Sequence, residues 1–219
     1  MCFPSFIFKG GKSMKKVVVV RAQDPKFKME LEGMFRLRHR VFDERLGWEV
    51  ENRNGLEKDR FDEESSVYIL SSSEGNEIVG CWRLLPTIGP NMLRDVFPQL
   101  LRDEDMPCLS NVWELSRFAV IAPAGSGDLA QGGINPATND MLKKIYEFSL
   151  ENDIDRYVTV TSVAVERLFK RAGFPIRRFG DGKAVKVGKV LSVACWVEIN
   201  EQFKRAAFGD TQGSLSRVA

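Results

Sequence analysis

The chain is predicted to take an α/β fold, a three-layer α/β/α sandwich built on a mixed, mostly antiparallel sheet. Three observations lead there. Strand-like and helix-like segments follow in the order strand, helix, three strands, helix, strand, helix, two strands. Two of the strands are joined by a short polar turn and must pair antiparallel, whereas a helix between later strands permits a parallel crossover. Finally, 219 residues that are 43% hydrophobic and 28% charged are enough for one generous domain with a buried core, at roughly 150 residues per domain.

Lys15 to Arg21 holds the run Val17-Val18-Val19-Val20, β-branched and brief, as a strand buried on both faces requires, and Asp24-Pro25 stops it. From Lys26 to Phe42, Met34, Leu37, Val41 and Phe42 follow helical spacing. Arg38 lies four residues from both Met34 and Phe42, on the inward face, where it reads as a side chain snorkelling at the core edge. Residues 43–64 carry nine acidic and four basic side chains with little periodicity, a long acidic loop of the kind that forms binding loops. Val67 to Leu70 and Glu77 to Leu85 form a hairpin about the turn Ser71-Ser72-Ser73-Glu74-Gly75-Asn76. By the two-residue period, Arg83 shares a face with Val79, Cys81 and Leu85.

After a Pro- and Gly-punctuated stretch, Val112 to Ile121 reads as a strand, and residues 122–133 as a small-residue loop. Asn135-Pro136 supplies an N-cap and a first-turn proline for a helix to about Glu151. A strand at Tyr157 to Ser162 precedes a helix from Val163 to Ala172 that Gly173 closes. Strands near Phe174 to Phe179 and Leu191 to Ile199 finish the core. Residues 1–13 read as an extension ahead of Met14, 14–208 as one domain, and 209–219 as a frayed tail.

Thirty-two Lys and Arg against thirty Asp and Glu give a charge of +2, too near neutral for a dedicated nucleic-acid binder. The four cysteines have no CxxC spacing and suggest neither a zinc site nor a disulfide framework, so the expected compartment is the reducing cytoplasm. With His39 as the single histidine, multi-histidine metal sites are excluded. No apolar run approaches the roughly 20 residues that span a bilayer.

The register Arg38-x3-Phe42-x5-Trp48-x10-Asp59-x2-Asp62, then Arg83 in Cys81-Trp82-Arg83-Leu84-Leu85-Pro86-Thr87, then Trp113-Glu114-Leu115-Ser116-Arg117-Phe118, resembles the signature of the acyl-homoserine lactone synthases, the LuxI-type autoinducer synthases. The resemblance runs from about Lys15 to Asn200, and the order of elements resembles the GNAT acyltransferase fold. It implies an acyltransferase for quorum sensing that joins an acyl chain from acyl carrier protein to S-adenosylmethionine (SAM), closes the lactone and releases methylthioadenosine. SAM would be a substrate, with no separate cofactor and no metal.

The residues suit that implied chemistry. A sulfonium, an amine and a carboxylate ask for anions, an arginine and aromatic faces, and Arg38, Phe42, Trp48, Asp59, Asp62, Arg83 and Phe118 are the expected SAM set. Arg38, Asp59 and Asp62 could equally be an ion-pair cluster fastening the acidic loop to the first helix. Glu114 is the candidate base for the amine, with Arg117 beside it in the catalytic set; the alternative is a salt bridge between the two. Positions three apart in a regular strand face opposite ways, so both reach one cleft only through a β-bulge, which would also splay the strand from its neighbour.

For the acyl chain, Thr159 and Thr161 share a strand face with Tyr157, and Leu168 lies on the following helix. The resemblance adds Ser116 and associates a threonine at Thr159 with 3-oxo chains, and in the stretch from Cys81 to Leu101 it leans towards a long chain. Between Val163 and Lys189 stand eight basic residues, among them Arg167, Lys170, Arg171, Arg177 and Arg178, against two acids. That patch is the expected docking surface for acidic acyl carrier protein, or else a solvated basic face. The rival functions are a GNAT-type N-acyltransferase using acyl-CoA and a partner-binding module without catalysis. The segment Ala122-Pro123-Ala124-Gly125-Ser126-Gly127 has no leading basic residue and stands far from the helix start, which weakens CoA as donor.

Overall fold

The computed structural model describes residues 16–48, 50–63, 65–121 and 134–209. The valine run forms edge strand β1 (Lys16–Arg21), and Asp24, accepting from the Lys26 N–H, starts a 3₁₀ turn at Pro25–Phe27. The expected first helix divides in two. Its α-helical part, α1 (Lys28–Arg38), runs without a break into a π-helical turn over His39–Arg45, a local widening frequent at functional sites. The acidic segment is partly ordered as a ribbon of β2 (Asn52–Arg53) and β3 (Leu56–Glu57).

The expected hairpin is β4 (Val67–Ser72) and β5 (Ile78–Pro86), and the next strand is β6 (Val112–Val120). A short α2 (Met92–Asp95) lies between them. Asn135 caps α3 (Pro136–Glu151) through its side chain to the Thr138 N–H at 2.8 Å. β7 (Arg156–Ser162) leads into α4 (Val163–Arg171), after which Gly173 turns the chain at φ +87°. The strand expected at 174–179 shrinks to β8 (Ile176–Arg178), and β9 (Val185–Val187) is added before β10 (Val190–Glu198). A final helix, α5 (Glu201–Phe208), had no counterpart in the sequence reading. The expected extension 1–13, the loop 122–133 and nearly all of the expected tail, 210–219, lie outside the described residues. Among the described residues no helix is long and apolar enough to cross a membrane.

The strands run in the order β1-β4-β5-β6-β7-β10-β8, with β9 also on β10. Every neighbouring pair is antiparallel except β6 and β7, which α3 connects as a parallel crossover. One sheet face packs on α1 through Val20, Tyr68, Leu70, Cys81 and Ala119. The opposite face packs on α3, α4 and α5 through Ile69, Trp82, Leu84, Leu115, Met141, Phe169 and Phe203. That makes the three predicted layers.

Two irregularities position the site. Cys81 pairs Ala119 and Arg83 pairs Ser116, so Arg117 and Phe118 together oppose Trp82 alone. Arg117 adopts φ +53° at this bulge. Immediately after it the sheet opens, because β6 pairs β7 only from Val112 to Leu115.

Candidate active site

Because of the bulge, Glu114, Ser116 and Arg117 all serve the α1 side of the sheet, where Arg83 projects from β5. α1 supplies Arg38, and the acidic segment closes over them with Glu57, Asp59 and Asp62. Arg38 and Arg83 are fully buried, so the snorkelling reading of Arg38 does not hold. Arg38 forms a two-point contact with Asp62, Nη1–Oδ1 at 2.7 Å and Nη2–Oδ2 at 2.9 Å, and its Nε donates to Glu57. Arg83 donates from Nη1 to Asp59 at 2.6 Å and Asp62 at 2.9 Å, and from Nε to the Ser116 hydroxyl at 3.1 Å. Arg117 reaches Glu57 at 3.0 Å and Asp59 at 2.6 Å through Nη2.

Three guanidinium groups therefore interlock with three carboxylates. Burial alone would raise the Asp62 carboxyl, but Arg38 and Arg83 hold it well below the usual carboxylate range. Burial opposes the charge on Arg38, and Asp62 and Glu57 more than offset it. Such a cluster tolerates burial only because nearly every lone pair and N–H is matched. Tyr68 and the Asp59 backbone N–H also donate to Asp62, at 2.8 Å each.

Glu114 stands apart from this lattice. It makes no ion pair with Arg117, against one of the two sequence readings. Its two oxygens instead accept the backbone N–H groups of Met92, at 2.9 Å, and Leu93, at 2.6 Å, at the start of α2. Burial pushes its carboxyl up to about 7, with those two N–H groups pulling the other way. That value suits a group exchanging a proton near neutrality.

Phe42 is buried on the π-helical turn, with the Arg117 guanidinium 5.5 Å from its ring centre and Trp48 stacked on it at 5.2 Å and 16°. Trp48 is 39% exposed, so that stack opens to solvent. Phe118 lies elsewhere. As the second residue of the bulge it turns to the opposite face, against Trp82 and Phe169, away from the charged cluster.

There it lines an apolar cavity at the opening between β6 and β7. Ser116 and Arg117 also line it, with Thr159, Thr161, Val165 and Phe203. Leu168 is buried but is not among the lining residues. The basic surface is less free than its composition suggests. Arg178 and Lys170 both pair with Glu166, at 2.6 and 2.8 Å, and Arg177 pairs with Glu104 at 2.9 Å. Arg167 and Arg171 are exposed on α4 and, among the described residues, have no carboxylate partner.

Three members of the site escaped the sequence reading. Glu57 is one acid among nine in its segment, Tyr68 looks like any strand aromatic, and Met92 sits in a stretch read only for its prolines and glycines. The alternation along β4 puts Tyr68 on the same face as Leu70 and could have flagged it.

The family model for "Autoinducer synthase" matches residues 23–205, which include every one of these residues. The chain belongs to the autoinducer synthase family. It is 39% identical over 177 residues to the acyl-homoserine-lactone synthase of Aliivibrio fischeri (strain ATCC 700601 / ES114), covering 81% of this chain and 90% of that one. The crystal structure of the AHL synthase LasI superposes with a TM-score of 0.79 at 38% identity, over 90% of this chain and 96% of that one. A CoA-dependent acyl-homoserine lactone synthase, BjaI, solved with SAM and isopentyl-CoA, matches with a TM-score of 0.76 at 28% identity, over 89% and 88%. At 12% identity and a TM-score of 0.52, over 84% of this chain and 99% of that one, an acyl-CoA N-acyltransferase from Pseudomonas aeruginosa shares the fold alone. This autoinducer synthase is thus an acyltransferase of GNAT-like architecture, with a charged cluster on one sheet face and an apolar cavity on the other.

Proposed function

We propose that the chain transfers an acyl group from acyl carrier protein to the amine of SAM, then closes the homoserine lactone and releases methylthioadenosine. The observation that carries this reading is that Ser116 and Arg117 belong to both compartments. The bulge joins a charged cluster of a chemistry suited to SAM to an apolar cavity suited to an acyl chain, across one gap in the sheet.

In the first step the protonated amine gives a proton to Glu114 and attacks the thioester carbonyl, forming the amide and expelling the carrier thiol. The two backbone N–H groups occupy only part of the acceptor capacity of the Glu114 carboxylate, which has about four lone-pair sites. In the second step the carboxylate of the acylated product attacks the carbon beside the sulfonium. The C–O bond forms as the C–S bond breaks, and methylthioadenosine leaves as a neutral thioether. Placement is what this step asks of the protein. Aromatic rings at Phe42 and Trp48 suit the sulfonium and adenine, and Thr159 on the cavity wall suits a 3-oxo chain. No resident cofactor is required.

The donor has a second reading, because BjaI is named as CoA-dependent. The exposed Arg167 and Arg171 favour an acidic carrier protein. Supplying SAM with an acyl chain on carrier protein or on CoA, and following methylthioadenosine release, tests both readings. Release with acyl carrier protein at the higher kcat/KM is expected. Efficient release with acyl-CoA alone would replace the carrier protein as donor, and no release with either would remove the synthase reading.

A further inference from the structure

Arg83 and Arg117 each have one nitrogen, an Nη, that no oxygen engages among the described residues. Arg83 commits Nε to Ser116 and Nη1 to Asp59 and Asp62, while Arg117 commits Nε and Nη2 to Glu57 and Asp59. The remaining Nη2 of Arg83 and Nη1 of Arg117 point at one atom, the Met92 sulfur, at 3.1 and 3.4 Å. A thioether is a weak acceptor, and these donors are buried, with Arg83 at 0% and Arg117 at 10% side-chain exposure. Two converging guanidinium donors on a weak acceptor make an anion position filled by a neutral group.

The geometry points to Met92 as a positioning residue, a neutral stand-in that keeps Arg83 and Arg117 aimed at one point until the substrate carboxylate displaces its sulfur. This rests on the reading of SAM as the substrate. The displacement needs no backbone motion. Met92 has an unbranched, adaptable side chain in a small apolar group with Phe61 and Leu85, while its backbone N–H stays on Glu114. That last contact sets up the chemistry. In SAM the amine is on the carbon that carries the carboxylate, so seating the carboxylate where the sulfur stood brings the amine beside the carboxylate that binds Met92's own N–H.

Two variants separate this role from simple packing. Met92→Leu keeps the volume and removes the acceptor, leaving two buried guanidinium N–H groups unsatisfied in the free enzyme with no sulfur to displace, so the KM for SAM should fall by about threefold. Met92→Gln replaces sulfur by an amide oxygen, a stronger competitor for guanidinium, and should raise KM by about tenfold. Decarboxylated SAM, which keeps the sulfonium and an amine, should bind all three proteins equally. Packing damage would weaken binding of both ligands in both variants, and that outcome overturns the inference. Wild-type protein carrying ¹³C-methyl methionine gives a check without substitution. The Met92 methyl resonance should shift with SAM and far less with the decarboxylated analogue, and equal shifts would overturn the proposal. Wild-type protein that binds no SAM would refute the substrate reading itself, a result distinct from SAM binding that ignores Met92.

Discussion

Arg117 on β6 and Glu57 on β3 meet across sixty residues of chain, Nε to Oε1 at 3.1 Å, only because the bulge turns Arg117 onto the α1 face. Glu57 holds Arg38 with its other oxygen and is itself fully buried. It is the joint between the first helix and the bulge.

Glu57→Gln should accordingly damage both stability and activity. Removing one charge from a buried network leaves its partners uncompensated, at a cost of about 3–5 kcal/mol, read from denaturant unfolding. Arg117 would lose its aim, and kcat/KM should fall by about 10²-fold, the scale on which catalytic groups respond to small misplacement. Wild-type stability in this variant would contradict the assigned network.

Tyr68 donates to Asp62 beneath the cluster, and its ring fills the core between α1 and the sheet. Tyr68→Phe keeps the ring and removes the hydroxyl. A hydrogen bond to a charged group predicts a loss of about 1.5–3 kcal/mol. Because Asp62 stays ionised in the fold below the usual carboxylate range, its contribution is present above the unfolded value of about 3.9 and fades as acid protonates it. The difference between variant and wild type should therefore shrink on acidification, measured as unfolding free energy against pH.

Burial pushes the Glu114 carboxyl up to about 7. As a base it works deprotonated, so kcat should rise through about pH 7 and level off above it. Glu114→Gln should remove that rise and lower kcat by about 10²–10⁴-fold, while SAM affinity changes much less. Stability carries the opposite sign. A carboxyl whose folded pKa is raised costs nothing below about pH 4, and its charge is penalised in the fold as pH climbs to 7. The wild type should thus lose stability relative to Glu114→Gln over that interval. Equal losses of turnover and SAM affinity would mean that Glu114 only anchors α2.

Trp48 stacks on Phe42 from the solvent side. Trp48→Ala should weaken SAM binding by calorimetry and leave the melting temperature nearly unchanged, since a half-exposed ring adds little to the core. Unchanged affinity would remove Trp48 from the pocket.

Reversing Arg167 and Arg171 to Glu should raise KM for acyl carrier protein several-fold and become less visible as salt shortens the Debye length from about 10 Å at 0.1 M. The rate with a small uncharged thioester should hold. Arg177→Glu should behave differently. Arg177 binds Glu104, whose carboxyl Arg177 holds down at about 2 together with the Gly180 N–H and Trp196. Its loss should lower the melting temperature and affect both donors alike.

The sequence by itself determined the order of the main strands and helices, though not the short β2, β3, α2 and β9 or the final α5, together with the caps at Asn135 and Gly173 and the presence of inward arginines at Arg38 and Arg83. Those features are local: a period of two or 3.6, an N-cap beside a proline, or a charge on an apolar face is written within a few residues. Family membership was legible for the same reason, since the spacing from Arg38 to Phe118 is a linear pattern. The pairing of Arg38 with Asp59 and Asp62 and a bulge beside Glu114 and Arg117 were open as sequence alternatives, and tertiary structure decided between them and settled which other charges meet. One extra residue on β6 sends Arg117 to the charged face and Phe118 to the apolar one, although both stand in the same motif. Glu57 became the joint among nine acids, Glu114 took backbone partners in place of Arg117, and Arg177 and Arg178 were drawn into pairs with Glu104 and Glu166. Each outcome depends on a contact between segments remote in sequence. A buried charge takes whichever partner the packed backbone brings within about 3 Å, and the pattern of residues around it carries no record of that partner.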